Sequence, residues 1–158
     1  MIQSFFSWLQ STAVAQSVSE TWFPVVESIH VVALTMVAGT IFIVDLRLIG
    51  LASRNMRFTQ LSDQILPWTW RAFVLAAITG SLLLAANAEG YYFNKPLRIK
   101  AILLLLAGLN MAYFQFVTFR TVSQWDSGKA TGAARFAGWA SLLLWFGVIA
   151  CGRWAGFV

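Results

Sequence analysis

The sequence predicts an all-α integral membrane protein, a four-helix bundle preceded by a short interfacial helix. Three observations carry this. Of the 158 residues, 59% are hydrophobic and only 11% are charged, against about 25% charged in an ordinary soluble chain. The mean hydropathy is +0.71. The apolar residues fall in four stretches near the 20 or so residues that cross a bilayer as a helix. A soluble domain of this size needs more polar residues to cover its surface.

The elements follow in chain order. Ile2, Phe5, Phe6 and Leu9 share one side of a helix, with Gln3, Ser7 and Gln10 elsewhere, which suits a helix lying in the membrane interface. Gln16 follows an Ala-x-Ala, but no basic region precedes the short apolar run Phe5–Leu9, so the segment does not read as a signal peptide. The first span runs from Phe23 to Leu46, opened by Trp22 and Pro24. The second covers Trp68 to Asn87 and is opened by Pro67. The third covers Leu97 to Phe119 behind Pro96, and the fourth Ala134 to Gly156. Between the first two, Ser53 to Leu66 is polar with periodic Met56, Leu61 and Ile65, which predicts a separate surface helix. Residues 1–158 thus read as a single transmembrane domain.

Charge gives the orientation. Arg47, Arg54, Arg57, Arg71, Arg120, Lys129 and Arg135 fall on one side, seven in all; Lys95, Arg98, Lys100 and Arg153, four in all, fall on the other. The positive-inside rule then puts both termini outside the cytoplasm, periplasmic for a bacterial inner membrane. Trp22 and Trp154 fall at the outer interface, and Trp68, Trp70, Trp125 and Trp139 near the inner one. The net charge of +5 is scattered along the chain, so nucleic acid is not an expected partner. The bilayer is. Gly152 and Gly156 stand in small-xxx-small register, which favours close helix contact within the bundle or in a homo-oligomer.

Ionisable groups within spans are costly and point to function. The first span holds Glu27, His30 and Asp45. Glu27 and His30 are three apart and share a face. His30 is eight residues past Trp22, roughly 12 Å deeper. An imidazole is too short to reach back to the headgroups, so His30 faces the protein or a bound group. Asp45 and Arg47 read as interface residues at the cytoplasmic end of the first span. Arg98 and Lys100 open the third span on the side of Glu27 and His30, with Met111 and Asn110 further along. These residues read as an outer-leaflet polar cluster built on Glu27, His30, Arg98 and Lys100; helix anchoring or a structural Glu27–Lys100 pair are the plainer readings. One histidine and one cysteine, Cys151, make a protein-only zinc site, a disulfide and a bis-histidine two-haem wire unworkable in a single chain.

Glu27–Gly50 (ESIHVVALTMVAGTIFIVDLRLIG), Thr69–Leu84 and Pro96–Asn110 resemble an uncharacterised family of short bacterial four-helix membrane proteins. The last two segments also resemble the CopD copper-resistance family, which has a Thr-Gly in one helix and a lysine opening the next. The first helix is distantly similar to the HemJ family of membrane protoporphyrinogen oxidases. There His30 matches the family histidine, Gly39 the mid-helix glycine, Arg47 the arginine and Lys100 the lysine, although spacing differs by about a residue and a second histidine is missing. The likenesses imply haem b, or copper as the alternative. Haem b would take His30 as axial ligand, Arg98 and Lys100 as propionate partners, and Met111 as a candidate sixth ligand; Glu27 and Lys100 would be the groups closest to catalysis. A redox partner or small substrate is then expected. An ion path for protons or copper through the same residues, or a structural subunit of a membrane complex, are the alternatives.

Overall fold

The computed structural model describes residues 2–53 and 55–157. Among them the elements are α-helices α1 (Ile2–Gln10), α2 (Ala13–Ser17), α3 (Phe23–Ile49), α4 (Phe58–Ala86), α5 (Ala88–Tyr92), α6 (Lys95–Tyr113) and α7 (Gly132–Trp154), with no strand. A π turn, Val18–Trp22, joins α2 to α3; a π turn, Phe114–Thr118, and a 3₁₀ turn, Phe119–Gln124, extend α6. Four continuous helical runs are long and apolar enough to cross a membrane: Ala13–Ile49, Phe58–Ala86, Lys95–Gln124 and Gly132–Trp154. The chain is a multi-pass, all-α membrane protein.

Three of the four runs are longer than the sequence suggests, the first two most of all. The stretch Ser53–Leu66 is not a separate surface helix: from Phe58 it is continuous with α4, and Pro67 lies inside that helix. The first run likewise passes through Pro24. A proline ring crowds the carbonyl four residues earlier, here that of Glu20, and the π turn that holds Glu20 widens the helix at that place. The local adjustment replaces the helix start that a proline suggests. At 1.5 Å per residue the first run is about 55 Å long against a hydrocarbon core of about 30 Å, so its polar first turns, with Ser17, Ser19 and Glu20, stand outside.

The chain divides into two compact units, residues 1–37 with 70–95, and residues 38–69 with 96–158. In the first, the inner faces are small: Ala33 and Val37 of α3, and Ala72, Ala76, Thr79 and Ala86 of α4, are buried. Large apolar residues point outward, among them Val32, Phe73, Val74 and Ile78. This is the arrangement expected where lipid solvates the large side chains and helices gain by approaching closely. The amphipathic α1 packs on α5, with the Phe6 and Tyr92 rings 5.4 Å apart, while Phe5 and Trp8 stay exposed. Gln10 Oε1 accepts the Glu89 N–H at 2.9 Å.

The second unit has an aromatic core. Val44, Leu48, Phe58, Trp125, Ala130 and Ala134 are buried together, flanked by Ile65, Phe114, Phe119 and Val122. Trp125 is not part of an interfacial belt. It lies 5.2 Å from the Phe58 ring and is 4% exposed, because the loop after the 3₁₀ turn folds back over the start of α4. Trp68, Trp70 and Trp139 remain exposed. α3 ends in a Schellman motif, with Gly50 at φ 82° and the Leu51 N–H on the Leu46 carbonyl at 2.9 Å. α7 starts at Thr131, whose hydroxyl accepts the Ala134 N–H.

Candidate functional site

His30 belongs to the first unit. It sits on α3 with its ring against α4, where Nδ1 is 3.0 Å from Thr79 Oγ1. The position beneath the ring is Gly80; a Cβ there would stand 2.8 Å from His30 Cε1. The ring therefore needs both residues of the Thr79–Gly80 pair, one for a hydrogen bond and one for room. The Thr79 hydroxyl also lies 2.7 Å from the Leu75 carbonyl, a shorter contact than the one to His30. A hydroxyl has one proton and a carbonyl can only accept, so Thr79 donates to Leu75 and accepts from His30. With Thr79 donating to Leu75, a neutral imidazole carries its proton on Nδ1 and its lone pair on Nε2.

Glu27, one turn earlier, is exposed near the start of α3. Burial first, and then the charge of Glu27, push the Tyr91 phenol above its ordinary range; the Asn87 side chain acts in the opposite direction. Glu27, Tyr91 and Asn87 are thus electrostatic neighbours of α5. The same unit holds a polar cavity of about 300 Å³ lined by Ser7, Gln10, Ser11, Gln16, Ser19 and Glu20 with Ala86 and Glu89. It is built by α1, the turns before α3 and the start of α5.

The remaining expected site residues, Arg98, Lys100 and Met111, belong to the second unit. Lys100 is half-buried and lies along α7, its Nζ 3.1 Å from where a Cβ on Gly152 would be. The small residue at 152 thus serves a contact within one chain. Arg98 is exposed and Met111 half-buried. Asn110 Nδ2 donates to the Ala137 carbonyl at 2.9 Å and holds α6 to α7.

Asp45 and Arg47 are buried, 4% and 1% exposed, and do not occupy an interface. Arg47 Nε donates to the Met56 carbonyl at 3.0 Å, and Nη2 to the carbonyls of Asp126 at 3.0 Å and Gly128 at 3.3 Å. It is a clamp for the two loops at that end of the unit. These loop carbonyls and the last turn of α3 are the negative environment a buried guanidinium requires. Sequence reasoning also missed Thr79 as the partner of His30, although the Thr-Gly dipeptide had drawn notice through its likeness to another family.

Among the described residues, no group of three or more His, Cys, Asp and Glu could hold a metal ion. An imidazole with a fixed tautomer is a one-ligand site. No curated protein and no solved structure matches the chain. The family model that matches spans residues 5–158, nearly the whole chain, and on that evidence the chain belongs to the family of unknown function DUF6644.

Proposed function

We propose that this membrane protein binds haem b through His30 Nε2 and works in a membrane redox reaction. The observation that carries the reading is the Leu75–Thr79–His30 hydrogen-bond chain. Metal-bound histidines characteristically donate their second ring nitrogen to a fixed acceptor, which sets the tautomer and orients the ring. Thr79 supplies that acceptor, and Gly80 leaves room for the Cε1 edge of the ring against α4. The donor set favours haem over a bare copper ion. A copper site draws several ligands from the protein, whereas haem brings four nitrogens and needs one imidazole. The bound group would supply one-electron chemistry. The chain's own contribution would be to ligate through His30, to hold the ring through Thr79, and to offer Glu27 near the start of α3 and Tyr91 on α5 as proton-handling groups.

The test is an absorption spectrum of the protein purified from haem-replete cells. A Soret band in the wild type that is lost in His30→Ala, with insertion and yield kept, is the expected result. Thr79→Val should keep some haem but lower its retention several-fold, because the ring is no longer held. A colourless wild type, or a His30→Ala protein with an unchanged spectrum, would overturn the assignment.

A further inference from the structure

We infer that Asp45 is a membrane-embedded binding site for a small monovalent cation, a proton or a sodium ion, in the second unit. The inference is independent of the His30 reading. Asp45 is on α3, one turn before the helix ends at Ile49. Its carboxyl lies beside the Ser141 side chain of α7, and its Oδ2 is buried with no hydrogen-bond partner. The same unit holds a second buried oxygen without a partner, Thr118 Oγ1, at the end of the π turn after α6. That turn is seated on the same core as Asp45's neighbour Val44 through Phe114, and the 3₁₀ turn that follows it through Phe119. π turns of this kind recur at functional sites.

The backbone is built to bring this carboxyl inside. Gly138, one turn before Ser141 on α7, meets the carbonyl of Asp45 and the side chains of Leu48 and Ile49; a Cβ there would be within 3.1–3.4 Å of them. α7 therefore approaches α3 closely at this level, and Ser141 reaches the carboxyl across the contact. Among the described residues, no cationic side chain has an ion pair with it. Arg47 spends its guanidinium on the loop carbonyls of Met56, Asp126 and Gly128. Arg120 and Arg135 are exposed. Asp126, the acid of the adjoining loop, is engaged with Thr59. From α7, Ser141 lies beside the carboxyl and Gly138 beside the backbone carbonyl of Asp45, and neither residue titrates.

A bare carboxylate in such a place costs several kcal/mol, and proteins that keep one pair it or neutralise it. Lone pairs on the carboxylate and on hydroxyls are hard oxygen donors. They suit a proton, or a small alkali cation bound mostly by oxygen, and do not suit an anion or a soft metal. The position one turn from the helix end puts the site about 6 Å from the end of α3, near enough for exchange with water.

Infrared spectroscopy of the full-length protein in liposomes, with carbon-13 at every aspartate carboxyl, tests this directly. The chain has three aspartates, Asp45, Asp63 and Asp126. The Asp45 signal is the part of the labelled spectrum that Asp45→Asn removes, with Asp63→Asn and Asp126→Asn as controls should Asp45→Asn fail to fold. A protonated-carboxyl band that belongs to Asp45, shifts on transfer to deuterated buffer and disappears as pH is raised identifies a proton. An Asp45 carboxylate band that moves with added sodium chloride but not with choline chloride identifies sodium. An Asp45 carboxylate that responds to neither, or a protonated band that never exchanges with deuterium, overturns the proposal.

Discussion

Two side chains at the loop end of the second unit show how much single residues carry. Arg47 alone donates to three carbonyls in chain segments 9, 79 and 81 residues away. Removing it takes the side-chain donor from the Met56 and Gly128 carbonyls and one of two donors from Asp126, whose carbonyl keeps the Phe58 N–H; a carbonyl left buried and unpaired costs about 1–3 kcal/mol. Arg47→Met should therefore lower the melting temperature in detergent more than any exposed arginine change such as Arg135→Met. Arg47→Lys should recover little, since an ammonium is not a planar fork. Asp126 works at the same loop. Its Oδ1 accepts the Thr59 N–H at 2.8 Å and its Oδ2 the Thr59 hydroxyl at 2.9 Å, at the N-terminus of α4. These bonds, the backbone one foremost, with the charge of Arg57 behind them, hold its carboxyl below the ordinary carboxylate range against the opposing effect of burial. A depressed acid gives stability that is present above its unfolded-state pKa of about 3.9 and is lost as pH falls through the folded value. Thermal melts of the wild type should thus decline below about pH 4, and Asp126→Asn should flatten that acid limb. An acid limb unchanged in the variant would remove Asp126 from this role.

At the level of helices, small residues decide where neighbours meet, and two glycines of the first pair of helices make a contrast. A Cβ at Gly80 would collide with the His30 ring at 2.8 Å, whereas a Cβ at Gly39 would meet nothing within 4 Å. Gly80→Ala should destabilise by about 1–3 kcal/mol through overpacking. Gly39→Ala should be neutral or stabilising by up to about 1 kcal/mol, since helical glycine is entropically costly. Differential scanning in micelles distinguishes the two; equal effects would mean that the ring yields without cost. The four helices themselves were legible in the sequence, because 20 or so apolar residues in a row have few other uses. Their ends were not. Pro24 and Pro67 read as helix openers by the usual N-terminal preference, yet both lie within continuous helical runs, at least one beside a π turn that absorbs the ring. His30 was legible as an inward-facing group from its depth, and the Thr79–Gly80 pair that receives it was visible only as a likeness. Trp125, Asp45 and Arg47 were misplaced for one reason. Interface rules assign a residue by its distance from a span end, while their burial comes from loop contacts between segments far apart in the chain, such as Arg47 with Asp126.

Over the whole molecule, the corrected burial sharpens the charge argument for orientation. Among the described residues, the basic residues that are not exposed are the buried Arg47 and the half-buried Lys100, and packing inside the unit explains their positions. Setting them aside leaves six basic residues on the side of the loops after the first and third spans, and three on the other. The bias thus rises to two to one, and it lies in loops short enough for the positive-inside rule to apply. An even number of crossings returns the chain to the side on which it started. Both ends are therefore expected on the periplasmic side of a bacterial inner membrane. A fluorescent reporter that matures only in the cytoplasm, fused after Val158, should stay dark, and a phosphatase active only in the periplasm should be active there. The charge explanation makes a second demand. Replacing Arg120, Lys129 and Arg135 with glutamine leaves four basic residues on each side in the full sequence count. That variant should insert in mixed orientation, with both reporters partly active, while glutamine at Arg98 and Arg153 should leave the wild-type pattern. A bright fluorescent fusion of the wild type would reverse the orientation, and a triple variant that still inserts one way would show that something other than these loop charges sets it.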